Sequence, residues 1–202
     1  MMAAAMSLLP GSLAASLLAV AALVLAVAGA AKVVRPAPTA VALRASGLSW
    51  IGHRGLVVFV RALALAELVV AGDALVDASA WARVVLAASY VTFAGFVLYA
   101  LVRRLPIASC GCFGEADTPP TAAHLIVNIG LAAATIVAAV TRAPAPSSVL
   151  THRPGAGSLV ALGVLVSTAL CLLVLTTLAR VTAEGRAAAA AVFGPGASRR
   201  SG

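Results

Sequence analysis

Five long runs of apolar residues, separated by short polar segments, set the predicted elements of the chain. The hydrocarbon core of a bilayer is about 30 Å thick, so a spanning helix needs about 20 mostly apolar residues. Because backbone N–H and C=O groups find no water partner in lipid, runs of this length are predicted as helices rather than open strands. The predicted spans are Gly11–Ala31, Leu56–Val76, Ala82–Val102, Ala122–Thr141 and Ser158–Leu178.

The segments between the spans carry the prolines and most of the charges. Lys32–Gly55 holds two prolines and three arginines, which indicates a loop with room for a short amphipathic helix. Asp77–Trp81 is predicted as a tight turn, and Arg142–Gly157, with three prolines, as a linker. The predicted organisation is a four-helix membrane domain at 1–141, a Pro-rich linker at 142–157, a fifth transmembrane helix at 158–180 and a disordered basic tail at 181–202.

Composition excludes a water-soluble monomer. Hydrophobic residues make up 62% of the 202 and charged residues 10%, with a mean hydropathy of +1.09, whereas an ordinary soluble domain is about half apolar and about a quarter charged. A chain of this length cannot bury so much apolar surface in one core. The predicted fold class is therefore all-α, a polytopic membrane helix bundle whose main partner is the lipid bilayer. Aromatic residues make up 4%, and no basic patch is interleaved with them, so nucleic-acid binding is not expected.

The basic residues predict the orientation of the bundle. Of 14 Lys and Arg residues, ten fall on the side that receives the ends of the first, third and fifth spans, three fall on the opposite side, and Arg61 lies within the second span. Cytoplasmic segments are the ones enriched in Lys and Arg. We therefore predict a multi-pass protein of the cell membrane with its N-terminus outside and the loop Arg103–Pro120 in the cytoplasm. The same distribution favours a retained first helix over a cleaved signal peptide.

The loop Arg103–Pro120 carries the strongest chemical signal, the sequence Ser-Cys-Gly-Cys-Phe-Gly at residues 109–114. Cys110 and Cys112 are so close that a disulfide between them needs a sharp backbone turn, which Gly111 permits because it has no Cβ. A small, strained ring is easier to reduce than a relaxed structural bridge. The pair therefore favours thiol/disulfide exchange over a purely structural crosslink.

Nearby charges bear on the reactivity of these thiols. Arg103, Arg104 and His124 are close to the pair in sequence and would favour the reactive thiolate if they approach it. Two other interpretations stay open: the cysteines are incidental to the loop, or together with His124 they bind a metal. Zinc usually takes four ligands, and the sequence offers no obvious fourth. Cys171, which lies among leucines in the fifth span, is expected to act as a small hydrophobic residue.

Glu67 is a second candidate because it falls near the middle of a span. It lies eleven residues past Leu56, or about 16 Å along a helix, and ionisable groups at that depth usually face a bundle interior or a polar cavity. Arg61 and Asp73 are each six residues away, which is not the spacing of a helical salt bridge, and both are expected to extend toward the membrane surfaces. Glu67 therefore needs a partner from another helix, for which Lys32 is a candidate, or it stays protonated.

Two interpretations of Glu67 follow from this depth. It is either a functional group, as a proton or substrate contact or an interhelical anchor, or a protonated carboxyl that serves packing alone. Asn128 lies one turn past His124 on the same face of the fourth span. It is either an interhelical polar contact, worth about 1 kcal/mol, or a support for the thiol site.

The segment 109–114, in which Phe113 and Gly114 follow the cysteines, resembles the signature of the methylamine utilisation protein MauE family, a redox-associated branch of the DoxX-like membrane proteins. Gly29-Ala30-Ala31-Lys32 is similar to the family's Gly-x-x-Lys, Ala66-Glu67-Leu68 is similar to its Ala-Glu-Leu, and Asn128 matches an Asn early in the fourth helix. The resemblance covers residues 12–141. Val127 departs from it, because the family often has Arg there, and the fifth span is an addition to the four-helix family unit.

The resemblance implies a redox role more firmly than a substrate. It implies disulfide formation or maturation of methylamine dehydrogenase in the founding members. The leading hypothesis from the residues is that Cys110 and Cys112 exchange electrons with a thioredoxin-like partner. No cofactor is indicated, although a quinone or other electron carrier would be compatible. A loop outside the membrane would suit disulfide donation, whereas a cytoplasmic loop would suit electron relay from a thioredoxin-like donor. The alternatives are a small transporter with Glu67 as its key residue and a non-catalytic assembly factor, and the residues do not decide whether the protein is an enzyme.

Overall fold

The structure, a computed structural model, describes residues 2–104, 120–152 and 154–178 together with Val181 and Gly185. Within this part of the chain the residues form helices and no strand, so the predicted all-α membrane bundle is confirmed. The helices are α1 Met2–Val34, α2 Ala37–Ala45, α3 His53–Val76, α4 Ala80–Val102, α5 Ala122–Val140, α6 Pro146–His152 and α7 Pro154–Leu173, followed by a π-helical turn at Val174–Leu178. Five segments are long and apolar enough to cross a membrane, namely Gly11–Val34, His53–Val76, Ala80–Val102, Ala122–Val140 and Gly157–Thr177.

Proline accounts for the main difference between the predicted and the observed elements. The predicted linker at 142–157 contains α6, and the fifth spanning helix starts at Pro154 instead of Ser158. Proline is well tolerated in the first turn of a helix, where its missing N–H has no intrahelical partner to lose. Pro146 and Pro154 each begin a helix here, whereas the sequence pattern had marked them as breaks.

Helix α1 lies at the centre of the bundle and packs against α3, α5 and α7. Within the most apolar stretch of α1, 61% is buried, whereas the corresponding stretches of the other spanning helices are 17–33% buried. The outer faces of those helices expose large apolar side chains, such as Leu65, Val69, Ile129 and Leu162. Apolar faces of this extent are covered by lipid in a membrane protein, so the chain is a multi-pass membrane protein.

The short helix α2 marks one end of the bundle. Its Ala40 is fully buried against Leu56 and Val60 near the start of α3, and its Ala42 is buried against Ala100 at the end of α4. Helix α2 therefore lies across the start of α3 and the end of α4, and this side is called the α2 end below.

The opposite end, called the α6 end, is held by hydrogen bonds between helix termini. The Asp73 carboxylate accepts bonds from the Ser79 hydroxyl at 2.5 Å and the Ser79 backbone N–H at 3.1 Å, which stabilises the turn between α3 and α4. Asp73, expected to extend toward the membrane surface, thus has a local partner. The Arg83 guanidinium donates to the Ala143 carbonyl at 2.6 Å and ties the start of α4 to the end of α5.

This arrangement fixes where the cysteine loop is attached. Helix α4 ends and α5 begins at the α2 end, so the chain leaves and re-enters the bundle there. The predicted cysteine site at residues 109–114 lies outside the described residues, as do the predicted disordered tail at 181–202, apart from Val181 and Gly185, and Arg180 in the predicted fifth span.

Candidate functional site

A buried ion pair joins α1 to α3. Lys32 Nζ donates a hydrogen bond to Glu67 Oε1 at 2.6 Å and lies 2.6 Å from Oε2 as well. The two residues are 3% and 4% exposed. Both carboxylate oxygens therefore lie within hydrogen-bonding distance of the ammonium group. Glu67 therefore has a partner from another helix, as its depth in the bilayer requires.

Gly29 allows this pair to form. A Cβ at Gly29 would lie 3.1 Å from the Ala64 carbonyl oxygen and 3.4 Å from Glu67 Cβ, so α1 and α3 are in near backbone contact at this point. Small residues permit such close approach of membrane helices. Lys32 follows Gly29 by three residues and so faces the same neighbour. The Gly-x-x-Lys and Ala-Glu-Leu segments thus form one interhelical contact.

Phe93 of α4 lies against the Lys32 ammonium, and Tyr90 of the same helix packs against Phe93. Nζ lies 4.9 Å from the centroid of the Phe93 ring, a cation–π geometry. The Tyr90 and Phe93 rings pack edge to face, with centroids 6.2 Å apart, and the Tyr90 hydroxyl donates to the Ala21 carbonyl at 2.6 Å. The sequence analysis missed both residues. Their spacing of three residues, which places both rings on one helix face, is the signal that could have found them.

Removing the Tyr90 hydroxyl tests the contact between α4 and α1. We expect Tyr90→Phe to lower the free energy of unfolding by about 1 kcal/mol, because a buried hydrogen bond is lost while the ring is kept. Tyr99→Phe is the matched control on the same helix, since Tyr99 is 45% exposed. Reversible unfolding of both variants in detergent provides the measurement. Equal losses for the two variants would contradict the assigned contact.

His124 closes the first turn of α5. Its ring Nδ1 accepts a hydrogen bond from the Thr121 backbone N–H at 3.3 Å and lies 3.0 Å from the Thr121 hydroxyl oxygen. Together with the reciprocal contact of the Thr121 side chain and the His124 backbone, this forms a capping box in which His replaces the usual Glu or Gln. His124 is 1% exposed, so its ring belongs to the bundle interior.

The side chains from α1, α4 and α5 meet at one small cavity. Its volume is about 30 Å³, which suits a single water molecule. Asn128, whose amide donates to the His124 carbonyl at 2.7 Å, is also part of the wall. The lining residues are Val24, Leu25, Ala28, Lys32, Tyr90, Phe93, His124, Asn128 and Leu175. The structure thus brings Lys32, His124 and Asn128 together, with Glu67 bonded to Lys32.

Arg103 and Arg104 stand where the chain leaves α4 for the cysteine loop. Both are exposed; the Arg103 guanidinium lies 6.0 Å from the centroid of the Tyr99 ring, and Arg104 adopts a positive φ of 48°. Cys110 and Cys112, with Gly111, Phe113 and Gly114, lie outside the described residues, so their role stays a prediction. Cys171 is half-buried in α7 as a free thiol. Among the residues described, no three His, Cys, Asp or Glu side chains form a group that could hold a metal ion.

One of the comparisons with known proteins found a match. The model of the methylamine utilisation protein MauE family matches residues 9–141, which is most of the chain. The chain belongs to the MauE family. No curated protein and no solved structure matches it.

The polar cluster lies within the residues that match the MauE family. Lys32, Glu67, His124 and Asn128 all fall within residues 9–141, whereas Leu175 lies beyond them in the fifth spanning segment. Val127, where the sequence analysis noted a departure from the family, packs against the apolar core. The cavity is therefore built mostly from residues within the family match and is completed by Leu175, which lies outside that match.

Proposed function

We propose that this MauE protein is an integral membrane thiol/disulfide redox protein that exchanges electrons through Cys110 and Cys112 with a thioredoxin-like partner. The observation that carries the proposal is the attachment of the Ser-Cys-Gly-Cys-Phe-Gly segment. Both of its flanking helix ends stand at the α2 end, and the buried polar cluster contains His124 from the first turn that follows it. Cys112 precedes Ala122, the first residue of α5, by ten residues, so its Cα lies within about 35 Å of the start of α5.

The exchange can be written without an external cofactor. A thiolate of the partner's dithiol attacks one sulfur of the Cys110–Cys112 disulfide, breaks the S–S bond and releases the other cysteine as a thiolate, which takes up a proton. The partner's second thiolate then attacks the mixed disulfide. The partner leaves as a disulfide, and Cys110 and Cys112 become the dithiol after uptake of two electrons and two protons. In the reverse direction the Cys110/Cys112 dithiol reduces the partner's disulfide, and Cys110 and Cys112 become the disulfide.

The charge distribution supports a cytoplasmic position for this chemistry. The sequence predicts ten of the 14 basic residues on the side that carries the α2 end, and cytoplasmic segments are enriched in Lys and Arg. Thioredoxin-like proteins keep thiols reduced in that compartment. The family description supports methylamine utilisation as the process served, with maturation of methylamine dehydrogenase as the redox-dependent step.

In this proposal the Lys32–Glu67 pair supports the bundle beneath the loop. The pair neutralises two buried charges and leaves Glu67 engaged with an ammonium rather than open to a transported substrate. This favours the redox interpretation over the alternative of a small transporter in which Glu67 is the substrate site.

The proposal predicts that Cys110 and Cys112 change oxidation state as a pair. In membrane vesicles of a Cys171→Ser background, a mass-tagged maleimide should add two labels after reduction and none after exposure to an oxidised thioredoxin-like protein, because the disulfide blocks both thiols. Whichever of the Cys110→Ser and Cys112→Ser variants keeps the attacking cysteine should accumulate a mixed disulfide with the partner, because the resolving thiol is gone. An impermeant maleimide reports the side of the membrane in the same experiment.

The control is the same labelling of protein that retains Cys171. This residue is a free thiol within a helix and is not expected to respond to the partner. Full labelling of Cys110 and Cys112 in every redox condition, with no mixed disulfide in either serine variant, would overturn the proposal. Co-purification of a stable partner that persists in both serine variants would point to the assembly-factor alternative.

A further inference from the structure

We propose that this protein holds one acyl chain of a membrane phospholipid in an apolar slot at the α6 end of the bundle. The slot has a volume of about 370 Å³ and lies between residues 15–23 of α1, 75–76 of α3, 146–150 of α6 and 160–165 of α7. It stands at the end of the bundle opposite to the attachment of the cysteine loop. The proposal therefore goes beyond the redox function and does not depend on it.

Four helices form the walls of the slot. Helix α1 is its floor, where the small side chains of Ala15 and Ala19 are 2% and 5% exposed. Helices α3 and α7 form the two sides, and each of them packs on α1 and on α6. Helix α6 closes the end at the membrane surface, where the Ser147 hydroxyl donates to the Val76 carbonyl at 2.7 Å and ties α6 to α3.

The slot lies within the membrane-spanning part of the bundle. Its floor on α1 covers eight residue steps, or about 12 Å along the helix axis, inside the span Gly11–Val34. Its wall on α7 lies inside the span Gly157–Thr177. The slot therefore runs along the helices through the half of the hydrocarbon layer next to the α6 end, in the direction of the lipid chains.

The mouth of the slot is continuous with the lipid-facing surface. Val76, Leu150 and Leu165 belong to three different walls, and their large apolar side chains are exposed. In a multi-pass membrane protein such a surface is in contact with lipid chains. A chain of a neighbouring phospholipid can thus enter sideways, while its glycerol and head group stay outside the mouth.

The walls select a hydrocarbon chain over a polar ligand. Among the described residues that line the slot, Ser16 and Ser147 carry the only side-chain hydroxyls. Ser16 donates to the Ser12 carbonyl at 2.8 Å, and Ser147 donates to Val76. Both hydroxyl hydrogens are therefore used within the chain. Water does not settle in an apolar cavity without polar partners, and a quinone carbonyl would lack a donor, so a phospholipid acyl chain is the occupant that fits.

Native mass spectrometry tests the proposal. The protein is extracted from membranes in a mild detergent, and loosely held lipid is removed by repeated detergent exchange. We expect one phospholipid to stay with each chain, and lipid extraction followed by mass analysis identifies it. Loss of all lipid, or recovery of a polyprenyl quinone in place of a phospholipid, would overturn the proposal.

Filling the slot should displace the lipid. Ala161→Phe on α7 and Ala19→Leu on α1 each enlarge a side chain in a wall of the slot, so both variants should lose most of the retained phospholipid. Ala133→Phe is the matched control, because Ala133 is exposed on α5 and lies outside the slot. It should retain lipid as the parent does. Equal retention in all four proteins would overturn the proposal.

Crosslinking in the parent protein keeps the test independent of the folding of these variants. A phosphatidylcholine with a diazirine in the middle of one acyl chain is bound in detergent, the excess is removed by detergent exchange, and the sample is irradiated. We expect the crosslinked peptides to contain residues 15–23 of α1 and 160–165 of α7. Crosslinks confined to the outer faces of α4 and α5, or no crosslink, would overturn the proposal.

Discussion

Replacing either member of the Lys32–Glu67 pair by methionine is expected to lower the free energy of unfolding by about 3–5 kcal/mol, because one buried charge is left without its partner. Lys32→Met leaves the Glu67 carboxylate facing apolar residues of α1. Glu67→Met leaves the Lys32 ammonium with the Phe93 ring as its remaining close contact, 4.9 Å from the ring centroid. Each single variant should therefore be poorly folded in mild detergent and in bilayers.

The double variant, with methionine at both positions, should recover most of that loss. Methionine is close in length to both side chains, and a well-packed apolar pair can be as stable as a buried ion pair. The free energies of unfolding, measured by steric trapping in lipid, give the coupling energy from the four proteins. Additive losses from the two single changes would contradict a direct pair.

Arg61→Met is the matched control for loss of a charge. Arg61 lies on α3, as Glu67 does, but its side chain is exposed. Its replacement should change the unfolding free energy little, since exposed charges contribute little to stability. A loss as large as that of Lys32→Met would show that charge at the α2 end, rather than the buried contact, governs stability.

Gly29→Leu is expected to lower the free energy of unfolding by about 3 kcal/mol or more. The new side chain meets the backbone of α3, which cannot move as a flexible side chain can. A Cβ alone would come within 3.1 Å of the Ala64 carbonyl oxygen and 3.3 Å of Leu68 Cγ. Gly29→Ala should therefore also lower the free energy of unfolding, but by less than Gly29→Leu does. Thermal unfolding in detergent ranks the three proteins.

The same substitution should uncouple the ion pair. If Gly29→Leu pushes α1 from α3, Lys32→Met should cost less in that background than in the parent, because the pair is already separated. Gly72→Leu is the control on α3, since a Cβ there meets nothing within 4 Å. A loss at Gly72 equal to that at Gly29, or an undiminished cost of Lys32→Met, would contradict the packing argument.

The sequence predicted part of the site, namely that Glu67 needs a partner. The depth of Glu67 in its span predicted a need for a partner on another helix, and the structure provides Lys32. The choice of Lys32 depends on how α1 and α3 are rotated and offset, which is set by the close approach at Gly29 and by contacts along both helices. Periodicity within one helix carries no information on that offset.

The aromatic and capping contacts were harder to predict. The sequence analysis did not single out Phe93 or Tyr90, because their contacts depend on the placement of α4 beside α1. His124 was expected to bear on the thiols, yet its ring is engaged by Thr121 in the capping box of α5.

The sequence by itself determined that the protein is a membrane helix bundle, how many spans it has, and that a close cysteine pair belongs to the loop between the third and fourth spans. These follow from hydrophobic length, backbone hydrogen bonding in lipid and residue spacing, all of which are local properties. Only the tertiary structure decided that Lys32, Glu67, His124 and Asn128 form one cluster and that the fifth segment completes it with Leu175. The pairings between different helices join residues 35 or more positions apart, and the packing of whole helix faces selects them.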